Sequence, residues 1–155
     1  MKILYICTHN RCRSILSEAI TNHFASDHIQ AKSAGSQPAG EVHPLSLRYL
    51  NEAGISIEGL QSQSWDEFED FKPDFVITVC DSAAGEACPV WFGQSIKMHW
   101  GLADPSKLEG SEEEIAAAFR DCIEEIKHRV NQLQGIAEQS LPQSQLKRAL
   151  NELVN

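Results

Sequence analysis

No stretch of this chain approaches the roughly 20 consecutive apolar residues that a membrane-spanning helix requires. Positive charge is scarce as well: 13 lysines and arginines stand against 22 aspartates and glutamates, for a formal net charge of -9. Acidic residues crowd into 67–74 and 109–125 with no compensating basic block, which argues against nucleic acid as a partner. Close Cys-x2-Cys spacing is missing from the five cysteines, and no paired histidines stand near Cys80 and Cys88 to complete a zinc site. The odd count would leave one thiol unpaired in any disulfide framework. Residues 1–7 carry a single lysine and an apolar run too short for a secretion signal, so the expected location is the cytoplasm, with no membrane partner. Thiols stay reduced there, and cysteines serve chemistry more than scaffolding.

The 155 residues suit one domain with a real hydrophobic core. Residues 3–7 read as a short buried strand, and Leu16, Ala19, Ile20 and Phe24 recur at helical spacing after Ser14. A second strand is expected at 29–33, ended by Ala34-Gly35. Pro44 fits the first turn of a helix that stops before Gly54. Ser64 is placed to cap a short acidic helix over 65–71. Strands follow at 75–80 and 95–100, separated by an irregular stretch, 81–93. Ser111 and Glu114 form a capping box for a long helix bearing Ile115, Phe119, Cys122, Ile123, Ile126, Val130 and Leu133 on one stripe. Beyond Gly135, Pro142 and then Leu146, Leu150 and Leu153 suggest one more short helix. Residues 1–134 are therefore expected to form the functional domain, and 135–155 a C-terminal extension.

Strands alternating with helices imply an α/β fold, a three-layer sandwich around a four-stranded parallel sheet, with every strand delivering its C-terminal end to one edge. Ligands bind at that edge. Two of the strands end on cysteine, Cys7 and Cys80, which brings both thiols to the same rim.

Between the first strand and first helix lies Cys7-Thr8-His9-Asn10-Arg11-Cys12-Arg13-Ser14, with a cysteine and an arginine six positions apart. A loop curling from a strand into a helix N-terminus turns successive N–H groups inward and makes an anion cradle. Thr8, His9, Asn10, Arg11, Cys12 and Arg13 would line it, and the Arg13 guanidinium can add a two-pronged clamp. Cys7 at the base sits in a field that favours its thiolate, aimed at the centre of a tetrahedral oxyanion. Ser14 is placed to hydrogen-bond that sulfur.

This loop resembles the phosphate loop of the low-molecular-weight tyrosine phosphatases and of the arsenate reductases that share their fold, over residues 1 to about 134. By that resemblance Asp104, in Asp104-Pro105, matches the general acid that protonates a leaving oxygen. The segment from Val79 to Pro89, with Cys80 and Cys88, resembles the redox segment of the arsenate reductases of the thioredoxin-coupled type. Asp104-Pro105-Ser106-Lys107 also lacks the paired tyrosines that tyrosine phosphatases typically carry after their Asp-Pro. The resemblance thus implies an arsenate reductase: Cys7 attacks arsenic, Cys80 attacks the Cys7 sulfur, and Cys88 passes the oxidation outward as a Cys80–Cys88 disulfide. It further implies arsenate as substrate, phosphate and sulfate as competing oxyanions, no bound cofactor or metal, and thioredoxin or glutaredoxin as external reductant. A phosphatase for phosphoesters is the alternative, and a non-catalytic oxyanion-binding or redox-sensing module the third class.

Some relatives of this kind hold potassium beside the loop. Asn10, Glu18 and Ser33 match three of the residues involved, but 61–64 offer no carboxylate for the fourth. The expectation is that Asn10 and Ser33 brace the loop by hydrogen bonds. Cys12 is either a partner that traps Cys7 or a small packing residue. His9 either faces solvent or orients an oxygen. Cys122 lies on an apolar stripe and reads as core.

Overall fold

Four parallel strands carry the molecule, in the order β2-β1-β3-β4: β1 Lys2–Ile6, β2 Gln30–Ala34, β3 Phe75–Thr78 and β4 Ile96–His99. The computed structural model describes residues 1–79, 96–102 and 105–139, together with positions 145 and 148. Ile3, Leu4, Tyr5 and Ile6 are each at most 1% exposed, so both faces of β1 are covered, as a central parallel strand requires. In register, Ile6 pairs with Ala34 on one side and with Thr78 on the other, so β1, β2 and β3 end at one edge. The expected strand over 75–80 is seen as far as Thr78; Cys80 lies outside the described residues.

Helix α1 (Arg13–Phe24) buries Leu16, Ala19 and Ile20 as its spacing predicts. A polar ladder runs along it: Ser17 Oγ donates to the Arg13 carbonyl at 2.8 Å and Thr21 Oγ1 to the Ser17 carbonyl at 2.7 Å. Tyr5 reaches Thr21 from the sheet at 2.8 Å, which satisfies a buried hydroxyl. Phe24, expected on the buried stripe, is 44% exposed. It is the last residue of the helix, and the Lys127 ammonium covers its ring at 5.1 Å from the centroid.

Helix α2 (Pro44–Glu52) begins with proline in its first turn, and Gly54 follows at φ 77°, a left-handed conformation that glycine adopts without strain. The acidic segment Trp65–Phe71 is a 3-10 helix with the Ser64/Glu67 capping box complete. The long helix α3 (Glu112–Glu138) starts at Ser111, whose hydroxyl accepts from the Glu114 N–H at 3.2 Å. Phe119, Cys122, Ile123, Ile126, Val130 and Leu133 are buried, and Phe119 stacks on Tyr49 of α2 at 5.0 Å. The helix does not stop at Gly135. Ile136 continues the buried stripe, and this packing outweighs the penalty of about 1 kcal/mol for a helical glycine. Among the described residues no helix is long and apolar enough to cross a membrane.

Candidate active site

The loop from Cys7 to Cys12 leaves β1 at the common strand edge and is held from outside by the segment that follows β2. Gln37, Ala39 and His43 donate their backbone N–H groups to the carbonyls of Thr8, His9 and Arg11 at 2.9, 3.0 and 2.9 Å. Ser62 Oγ adds a bond to the His9 carbonyl at 3.1 Å, and Ser46 Oγ one to the Arg11 carbonyl at 3.3 Å. In a trans peptide the N–H points opposite to the carbonyl it shares a plane with. Drawing these three carbonyls outward therefore turns the N–H groups of His9, Asn10 and Cys12 away from the strap. Gly35 makes the close approach feasible: a Cβ there would lie 2.5 Å from the Thr8 oxygen and 2.6 Å from the Cys7 oxygen.

Asn10 sits at the bend of the loop with φ 47°, a left-handed value that asparagine tolerates better than most residues. Its side chain is fully buried and used at both ends. Nδ2 donates to Ser14 Oγ at 2.8 Å, and Oδ1 accepts from the Gln63 N–H at 2.7 Å. With an N–H already donated to its oxygen, Ser14 keeps its own hydroxyl proton to give elsewhere. The bracing expected of Asn10 is thus observed. Ser33 instead donates to Glu18 Oε1 at 2.5 Å, and burial holds the Glu18 carboxyl above the ordinary range, partly offset by that bond and by the Lys32 charge.

Arg13 opens α1. Its NH1 donates to the Leu102 carbonyl at 3.0 Å, which fixes the guanidinium against the segment after β4. The helix has no acidic residue in its first turn and no side-chain hydrogen bond from its cap residue, Cys12. Its positive end is therefore not neutralised by its own first turn or by its cap side chain. Cys7, Cys12, His9, Arg11, Arg13, His43 and Ser106 surround a cavity of about 120 Å³. A 7% exposed thiol thus shares a small space with two arginines and two histidines in a chain of net charge -9. This is the local positive cluster that an anion site on an acidic protein needs.

The family model described as low molecular weight phosphotyrosine protein phosphatase matches residues 2–149. The chain belongs to this phosphatase family. Within the family its similarity runs to reductases. An arsenate reductase of Halalkalibacterium halodurans is 36% identical over 128 residues, covering 83% of this chain and 91% of that protein. A solved arsenate reductase in a phosphate-binding state superposes with a TM-score of 0.71 at 29% identity, covering 86% of this chain and 96% of the other. A thioredoxin-dependent arsenate reductase of Corynebacterium glutamicum gives a TM-score of 0.69 at 30% identity, over 90% of this chain and 63% of that one.

Of the residues that sequence singled out, this phosphatase-family fold brings Cys7, Thr8, His9, Asn10, Arg11, Cys12, Arg13 and Ser14 together in the loop and the first turn of α1. Cys80, Cys88 and Asp104 lie outside the described residues. Cys122 is buried in the core on α3, away from the cavity lining. Among the described residues no group of three or more His, Cys, Asp or Glu side chains is arranged to hold a metal ion. Sequence reasoning missed Gly35, the strap at 37–43, His43 and the Leu102 carbonyl. A glycine directly after a strand is a signal of close backbone approach and was available for Gly35. Nothing local marks Leu102, which meets Arg13 across 89 positions.

Proposed function

We propose that the protein reduces arsenate to arsenite in the cytosol, using Cys7 as nucleophile and an external dithiol protein of the thioredoxin type as electron source. The observation that carries this is the placement of the Cys7 thiol in a 120 Å³ cavity with Arg13 and the N-terminus of α1. Such a cavity suits a bare tetrahedral oxyanion. Ser106 contributes a small hydroxyl to the wall where recognition of phosphotyrosine would call for an aromatic surface. The similarity to arsenate reductases over most of both chains supports the same choice.

In this reading the Cys7 thiolate attacks arsenic. Arg13 and the loop amides take up charge on the oxygens, Ser14 donates to the sulfur, and Asp104 protonates the departing oxygen. A thiolate of Cys80 then attacks the Cys7 sulfur. The sulfur–arsenic bond breaks with its electron pair left on arsenic, which becomes arsenite, and a Cys7–Cys80 disulfide remains. Cys88 attacks Cys80 and frees Cys7, and the resulting Cys80–Cys88 disulfide is reduced by the external dithiol. The roles of Cys80, Cys88 and Asp104 rest on their sequence context and on the family.

The test is arsenite formation from arsenate with thioredoxin, thioredoxin reductase and NADPH, beside a phosphoester hydrolysis assay. Catalytic arsenite production that is lost in Cys80→Ser is expected. Phosphoester hydrolysis without arsenite, indifferent to Cys80→Ser, would make the chain a phosphatase. Replacing thioredoxin by glutaredoxin and glutathione identifies the reductant.

A further inference from the structure

Exposure grades the wall of the cavity that holds Cys7. Cys7 and Cys12 are buried, Arg13, His43 and Ser106 are half-buried, and His9 and Arg11 are exposed. The thiol thus lies at the floor, and His9 and Arg11 form the rim.

The backbone of Arg11 is tied down twice through its carbonyl, by the His43 N–H at 2.9 Å and by Ser46 Oγ at 3.3 Å. Its guanidinium is held by nothing comparable. Arg48, Arg120 and Arg129 each reach a glutamate, at 3.4, 3.7 and 2.9 Å, and Arg13 donates to the Leu102 carbonyl at 3.0 Å. Among the described residues no carboxylate pairs with Arg11, and no acceptor takes a hydrogen bond from its side chain. With 22 acidic residues against 13 basic ones, an arginine without a counter-ion is the exception in this chain, and it stands beside the nucleophilic thiol.

A fixed positive charge at the mouth of a cleft raises the local concentration of anions and the rate at which they enter. The attraction scales with the charge of the ligand and vanishes for a neutral one. We propose that Arg11 is the capture residue of this site, drawing anions to the rim by its charge while Arg13 and the loop amides bind the seated oxyanion. Such a charge acts on arsenate, which is anionic, and not on arsenite, which is an uncharged acid at neutral pH. The proposal rests on the reading of the loop as an oxyanion site but not on the redox relay, so its test uses molecules that need no reduction.

Two alkylating agents of nearly equal size separate charge from nucleophilicity. Iodoacetate is an anion and iodoacetamide is neutral, and with each the Cys7 thiolate displaces iodide to form a thioether. The ratio of the two rates at Cys7, followed by peptide mass spectrometry, therefore reads the field at the mouth and not the reactivity of the sulfur. At about 0.01 M salt, where charges are felt over about 30 Å, Arg11→Gln should lower the iodoacetate to iodoacetamide ratio about three- to tenfold. Phosphate affinity in titration calorimetry should fall by a factor at least as large. Arg11→Lys, which keeps the charge and loses the planar fork, should stay within about twofold of the parent in both measurements. In about 1 M sodium chloride, where screening cuts the reach to about 3 Å, the gap between Arg11→Gln and the parent should close to within about twofold. Both variants should melt with the parent, because the side chain is exposed.

A ratio within about twofold of the parent in Arg11→Gln at low salt overturns the proposal. So does a loss that persists undiminished in high salt or that Arg11→Lys shares, because the side chain then acts through hydrogen bonds or packing. Failure of the parent protein to bind phosphate or arsenate overturns the proposal together with the oxyanion reading. Phosphate binding and an Arg11-dependent ratio without arsenate reduction leave Arg11 in its role and remove only the reductase.

Discussion

Gly35 and Thr8 approach so closely that a methyl group on the glycine would stand 2.5 Å from the threonine carbonyl oxygen. The contact is backbone against backbone, so no side-chain rotation relieves it. It lies directly beneath the cysteine loop, because Gly35 N–H and carbonyl are committed to Gln63 and Trp65 at 2.9 and 3.0 Å. The loop and the strap cannot both keep their places around a larger residue.

Gly35→Ala should therefore cost about 1–3 kcal/mol through overpacking and weaken phosphate binding by more than tenfold. Thermal melts and calorimetry check both. Gly135→Ala is the control: nothing lies within 4 Å of its missing Cβ inside α3, and the substitution should stabilise the protein by about 0.5–1 kcal/mol.

Arg13→Lys keeps the charge but loses the planar fork that reaches the Leu102 carbonyl and that the proposed mechanism also uses to clamp the oxyanion. A fall in kcat/KM for arsenate of about 100-fold or more is expected, with little change in stability. Steady-state kinetics beside a melting curve measures this. A variant as active as the parent would remove Arg13 from the site.

Glu18 supplies a pH signature. Burial raises its carboxyl above the value of about 4.3 that an unfolded glutamate shows. The folded state thus holds a proton that the unfolded state has released, and stability present in acid is lost as pH climbs from the ordinary range through the raised value. Glu18→Gln keeps an acceptor for Ser33 and cannot ionise. Its melting temperature should exceed that of the parent above this window, and the gap should close in acid. A gap of constant size across the titration would show that charge burial is not its source.

Cys88→Ser should limit arsenite formation to about one equivalent per protein with thioredoxin present, because the Cys7–Cys80 disulfide then has no internal route to reduction. Rapid-quench counting of arsenite reads the stoichiometry. Sustained turnover in this variant would exclude the relay through Cys88.

Much of this molecule was legible in the order of its residues. The apolar run of β1, the 3.6-residue spacing in α1 and α3, and the caps at Ser64 and Ser111 are local patterns, and local sterics and hydrogen bonding are enough to set them. The same holds for the cysteine loop: six residues between a strand and a helix already imply a cradle for an anion. Phe24 shows where periodicity stops, since the last residue of a helix can keep the phase of its apolar stripe and still stand 44% exposed.

By itself, then, the sequence determined the kind of element at most of the described places and the loop that joins Cys7 to the start of α1. Tertiary structure alone decided how the cradle is held. Gln37, Ala39 and His43 reach back to Thr8, His9 and Arg11, and Arg13 reaches forward to Leu102. The donors and acceptors in these bonds are mostly backbone groups, which every residue carries and no sequence motif records.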